Sequence, residues 1–183
     1  MGKIILFNMM SLDGYFEGPG NDLSWHRVDA EFNEFAIEQL SNVNALIFGR
    51  RTYELMAGYW PTKNATNDDP KVAAMMNSAP KIVFSRTLAS ADWNNTAVLQ
   101  DEIEAEAKKL RAHPADSFIL GSAKLAASFT AKGLIDEYRV MINPVIMGNG
   151  TPLFKPGGGK LDLKLLGSRV FGSGNVLLTY RPS

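Results

Sequence analysis

Short apolar runs of strand length alternate with segments of helical period along nearly the whole chain, and this alternation restricts the fold more than any other feature. Strands are expected at residues 3–10, 45–48, 81–84, 96–99, 117–120 and 137–145, with a C-terminal pair at 164–171 and 175–180. Their near-continuous apolar character suits central strands buried on both faces. Between them, Asp29 reads as the cap of a helix over 30–41 in which Phe32, Phe35, Ala36 and Leu40 recur at helical spacing. Asp69 before Pro70 predicts a helix over 70–78, and Ile103, Ala107 and Leu110 mark a third over 101–111. A fourth starts after Gly121, turns Leu125, Ala126 and Phe129 inward, and ends at Gly133. Residues 148–160, with a glycine run at 157–159, read as a long connection. No composition break divides the chain, so one α/β domain over 1–183 is expected, a mixed, mostly parallel sheet covered by helices.

A chain of 183 residues buries about 70% of its unfolded surface, enough for a substantial core. Lysine plus arginine and aspartate plus glutamate are nineteen each, so no net field draws in nucleic acid or an anionic membrane. There is no cysteine, which removes disulfides, thiolate nucleophiles and cysteine-ligated metals together. His26 and His113 stand far apart without a carboxylate pattern, and no metal site is expected. The apolar run 4–10 continues into Ser11-Leu12-Asp13-Gly14 with no cleavage signal, so it reads as a first strand and the chain as cytoplasmic.

Three expected strands end alike. Residues 45–48 run into Gly49-Arg50-Arg51-Thr52, residues 82–84 into Ser85-Arg86-Thr87, and residues 118–120 into Gly121-Ser122-Ala123-Lys124. Each passes from apolar to small to hydroxyl or basic, where an open α/β sheet places its ligand. Glycines 49 and 121 let a bulky ligand approach the backbone, and the helices that follow present free N–H groups and a partial positive charge. Arg50, Arg51 and Arg86 add guanidinium forks, and Thr52, Ser85 and Ser122 add hydroxyls. Such a set suits a ligand with several phosphates, whether NADPH, ATP or a sugar phosphate. Neither the P-loop pattern nor G-x-G-x-x-G after the first strand is present.

The ordered segments Ser11-Leu12-Asp13-Gly14-Tyr15, Gly49-Arg50-Arg51-Thr52-Tyr53-Glu54, Lys81-Ile82-Val83-Phe84-Ser85, Gly121-Ser122, Leu134-Ile135-Asp136-Glu137-Tyr138 and residues 144–154 resemble the reductase domain of riboflavin biosynthesis, of RibD C-terminal type. More distantly the chain resembles dihydrofolate reductase. The resemblance implies a three-layer αβα sandwich, an NADPH-dependent reductase of a small pyrimidine- or pterin-like heterocycle, and a homodimer. It also implies that Gly49, Arg50, Arg51 and Thr52 face the pyrophosphate and the 2′-phosphate, with Ser85 and Arg86 beside the latter. Gly121, Ser122, Lys124 and Leu125 would form a second cofactor loop, with Asn8, Met10 and Asp13 on the nicotinamide and substrate side. On that reading Arg51→Ala weakens NADPH far more than NADH. The chain departs from the family at Ser122, where a second glycine is usual.

The proton for such a reduction points to Asp13, which directly follows the first strand, as acid or substrate anchor. The other reading of Asp13 is the cap of a tight turn with Gly14. Glu31, Glu34 and Glu38 read as the solvated face of their helix. Trp25 and His26 suit either closure over a planar ring or plain packing, with Trp25 the candidate substrate contact. The rival functional classes are a nucleotide-binding module without turnover and a phosphosugar-binding transferase.

Overall fold

Strand β1 (Ile4–Ser11) pairs in parallel on both sides, with β6 (Asp116–Leu120) and with β7 (Glu137–Asn143), and the rest of the molecule is arranged about it. This computed structural model describes residues 1–154 and 159–183. In chain order the other elements are β2 (Tyr15–Glu17), α1 (Ala30–Leu40), β3 (Val43–Gly49), α2 (Arg50–Tyr59), α3 (Lys63–Asp68), α4 (Pro70–Ser78), β4 (Lys81–Phe84), β5 (Thr96–Leu99), α5 (Ile103–Ala112), α6 (Ala123–Ala131), β8 (Thr151–Pro152), β9 (Leu163–Val170) and β10 (Val176–Pro182). The main sheet runs β5-β4-β3-β6-β1-β7-β10-β9. It is parallel from β5 to β7, and β10 lies antiparallel between β7 and β9.

Successive side chains of the central strands enter two different cores, which is why those strands are apolar without interruption. Ile5, Leu46, Phe48, Val83 and Phe118 face α1, α2 and α4. Ile4, Leu6, Ile47, Ile82 and Ile119 face α5 and α6. The result is the three-layer α/β arrangement that the alternation implies. The helix ends follow local chemistry: the Asp29 side chain accepts from Phe32 N, Asp69 accepts from Lys71 N and Val72 N, and Gly133 takes φ 63° beyond α6. Each acidic cap is worth about 1 kcal/mol.

Several expectations are corrected. β7 stops at Asn143 because Pro144 has no N–H to continue the ladder, and Val145 N bonds back to Asn143 O instead. β9 is almost wholly exposed, with Leu163, Leu165, Leu166 and Val170 in solvent, so its apolar character does not mark a strand buried on both faces. Glu31 accepts from Gly172 N at 2.7 Å and pairs with Arg169, which ties α1 to the β9–β10 turn, so this glutamate does not lie on a free solvated face. Helix α3 and strands β2 and β8 have no counterpart in the pattern. The connection read over 148–160 includes β8, and its residues 155–158, with two of the run's glycines, lie outside the described residues. Among the described residues no helix is long and apolar enough to cross a membrane, and no cluster of three metal-ligating side chains occurs.

Candidate functional site

Strands β4, β3 and β6 are neighbours with parallel register, Gly49 opposite Phe84 and Ile47 opposite Ile119. Their C-terminal ends therefore share one edge of the sheet, and segments 49–52, 85–87 and 121–125 open onto the same groove. Gly121 (φ 61°) and Ser122 (φ 59°, ψ 59°) both adopt the left-handed conformation before α6. A Cβ on Gly121 would lie 2.8 Å from Thr52 Cγ2, so only glycine lets this loop approach α2. Ser122, which is not glycine, is held there against about 1 kcal/mol of steric cost. Its Oγ accepts from Gly49 N at 2.8 Å and bonds Thr52 Oγ1 at 2.8 Å. One hydroxyl thus fastens the first turn of α2 to the start of α6, and both helix N-termini direct their positive ends at the same space.

The basic end of the groove gathers Arg50, Ser85, Arg86 and Thr87. Arg50 Nη1 donates to Thr87 Oγ1 at 2.9 Å and Arg50 Nε to Glu54 at 2.7 Å, while Arg86 pairs with Asp101 at 2.7 Å. Ser85 Oγ accepts from Thr87 N and Leu88 N, which shapes the turn. Arg51 is not brought to this group. Its guanidinium reaches the other way, to Asn21 and to Glu17 at 3.5 Å. Lys124 is exposed beside the groove, but the side chain of Leu125 is buried in the core against α5 and the sheet, leaving only its backbone to a ligand.

Across the groove stand the residues assigned to the substrate side. Asn8 is buried on β1 and donates to Gly121 O at 3.4 Å, and Met10 follows it half-buried. Above them β2 and β8 form a small two-stranded flap. Asp13 fixes the base of that flap: its carboxylate accepts from Met147 N, Gly148 N and the Ser11 hydroxyl. The Met147 amide, then the Ser11 hydroxyl, hold its carboxyl down at about 2, so at neutral pH it has no proton to donate. These contacts make Asp13 the anchor of a turn.

Trp25 is half-buried, donates to Asp22 O at 3.1 Å and meets His26 edge-on at 4.4 Å. Burial pushes the His26 imidazole down to about 4, and its Nε2 has no partner among the described residues. This segment is stitched to the sheet through Arg27, whose N–H donates to Asn143 and whose carbonyl accepts from Asn175. The residues missed in sequence are the partners Glu17, Glu54, Asp101 and Thr151. Only Glu54 carried a local signal, its position four residues after Arg50 on a helix.

Residues 2–177 match the model of the RibD C-terminal domain family. The chain is 33% identical over 181 residues to the uncharacterized protein YyaP of Bacillus subtilis (strain 168), covering 97% of this chain and 94% of that one. Among solved structures it is similar to a diaminohydroxyphosphoribosylaminopyrimidine deaminase/5-amino-6-(5-phosphoribosylamino)uracil reductase from Thermotoga maritima, at 16% identity and a TM-score of 0.68, covering 100% of this chain and 57% of that one. Dihydrofolate reductase from Enterococcus faecalis, complexed with NADP(H), gives 15% identity and a TM-score of 0.66, with 100% and 97% covered. At these identities the structural matches speak to the fold.

Proposed function

The chain belongs to the RibD C-terminal domain family, and on that premise we propose that it is a cytoplasmic NADPH-dependent reductase of a small pyrimidine- or pterin-like heterocycle, with residues 1–183 as one reductase domain. The observation that carries this reading is the groove itself, in which two helix N-termini joined through Ser122 face the same space with Arg50 and Arg86 at one end.

The fit to a doubly phosphorylated dinucleotide rests on three features. Gly49 and Gly121 let the two strand ends close on Ser122 and Thr52 and so bring the helix starts together, free N–H groups of α2 and α6 suit a pyrophosphate, and two guanidinium groups beside Thr87 suit a further phosphate. When bound, NADPH supplies a hydride. The chain's own part is to seat two rings face to face: Asn8 and Met10 form the floor, the flap covers, and Trp25 closes one side. Asp13 keeps the flap in place as an ion.

Loss of NADPH absorbance with a panel of folates, pterins and aminouracil sugars tests the proposal. Oxidation by one class establishes the reductase and names its substrate. The engagement of both Asp13 carboxylate oxygens by the Met147 and Gly148 amides favours a second reading, a nucleotide-binding module without turnover. NADPH binding with no oxidation for any member supports that module, and stabilisation by sugar phosphates with indifference to NADPH overturns both. We also propose that two copies meet along edge strand β9, whose exposed leucines and outer backbone, unpaired among the described residues, invite a second strand. Sedimentation at micromolar concentration should give twice the 20.1 kDa chain mass, and a monomer there removes this interface.

A further inference from the structure

All three arginines of the groove are held by carboxylates, and the three pairs differ in how readily they open. Glu54 and Asp101, the partners of Arg50 and Arg86, have side chains 46% and 63% exposed. Water can replace either arginine at little cost, as for most surface ion pairs. Glu17, the partner of Arg51, is only 12% exposed. Its Oε1 already accepts from Thr151 Oγ1 at 2.7 Å across the flap, so this carboxylate keeps its place whether or not the 69%-exposed Arg51 guanidinium, 3.5 Å away, stays on it. An incoming phosphate therefore competes with exposed carboxylates for Arg50 and Arg86, and for Arg51 with a carboxylate fixed on the flap side of α2.

We propose that Glu17 is a positioning residue: it retains Arg51 on the flap side of α2, leaves recognition of the 2′-phosphate to Arg50 and Arg86, and makes Arg51 a strut between the cofactor helix and the flap. The inference rests on the dinucleotide reading for its ligand, although the strut itself is independent of it. Among the described residues, Arg51–Glu17 is the only ion pair that joins the flap to the segments at 49–52, 85–87 and 121–125. The flap is otherwise secured from its own side. Leu153 N donates to Gly14 O, and Gly150 approaches so closely that a Cβ there would stand 2.3 Å from Glu17 O. The position of Glu17 is thus fixed before Arg51 meets it, and the guanidinium follows the carboxylate.

The test uses Glu17→Gln, Arg51→Gln and their combination in the full chain. In the ligand-free protein, amide hydrogen exchange across 14–17 and 151–153 should quicken about fivefold in each single variant and no further in the double, with melting temperature nearly unchanged. Additive increments, or no change in the singles, overturn the strut. For dinucleotides, Arg51→Gln should weaken NADPH and NADH by the same factor of about five, whereas Arg50→Gln and Arg86→Gln should each shrink the NADPH preference about tenfold. Glu17→Gln should likewise weaken both dinucleotides equally, and its effect should vanish once Arg51 is glutamine. A selective loss of NADPH in Arg51→Gln overturns the assignment of Arg51. If the native protein binds neither dinucleotide, the cofactor reading fails while the exchange experiment still decides the strut.

Discussion

The strand-end half of the groove, where the cofactor is proposed, and the flap half, where the substrate is proposed, are built on different principles. On the first, strands β3, β4 and β6 run parallel and each hands its chain to a small residue and then to polar groups, so one local pattern occurs three times and the sheet aligns the copies. On the second, segments far apart in sequence are joined by single side chains: Asp13 holds the Met147 and Gly148 amides, Asn143 and Asn175 hold the Arg27 backbone, and Glu17 accepts from the Thr151 hydroxyl. A site assembled from repeated strand ends inherits its geometry from the sheet. A site assembled from loops depends on individual contacts, and each contact can be removed alone.

That contrast can be broken by substitution. The largest effect is expected from Gly49→Val: an added Cβ starts 3.3 Å from Ser122 Oγ, and its branches drive α2 from α6. NADPH binding should be lost at a hundred times the native dissociation constant while circular dichroism still reports a folded chain. Unaltered affinity would move that backbone away from the ligand. Next is Gly150→Val on the substrate half, which must displace the Glu17 carbonyl and also strains a φ of 148°. Turnover should fall roughly a hundredfold with NADPH affinity kept within about threefold. Equal losses in both would show that the two halves are one unit.

The smallest effect concerns pH. His26 is held neutral by burial, its pKa pushed down to about 4 from 6.5, so the stability it contributes is complete above pH 6.5 and is lost as pH falls toward 4. Urea melts should show a decline of about 1–3 kcal/mol across that window, nearly absent in His26→Phe. Hydrogen exchange should place the loosening in the substrate half first. A uniform loosening of both halves would contradict the division.

The two halves also differ in how far they can be read from sequence. Residues 49–52, 85–87 and 121–124 stand out because apolar run, glycine or serine, and basic residue are contiguous, so a local pattern suffices. What it missed was direction: neighbouring Arg50 and Arg51 leave the first turn of α2 on different sides, and only the partners Thr87 and Glu17, far along the chain, determine which way each turns. The caps at Asp29, Asp69 and Gly133 were legible for the same reason, since each acts within a few residues. The flap was not, because strands of three and two residues carry no period to detect. Asp13 shows the limit most clearly: its position beside Gly14 fits both an acid and a turn, and the choice depends on amides more than a hundred residues away.

The placement of β1 between β6 and β7 has a consequence for how the chain is born. Strand β1 pairs with residues 117–120 on one side and 137–143 on the other, both later in the chain, so neither partner exists when it emerges from the ribosome. At typical synthesis rates the apolar segment from Ile4 to Met10 waits on the order of ten seconds before it can be sheltered. Pairings so distant also slow the final collapse. A trigger-type chaperone that covers nascent hydrophobic segments should therefore raise the yield of this protein, and placing β1 after β7 by circular permutation should relieve that need.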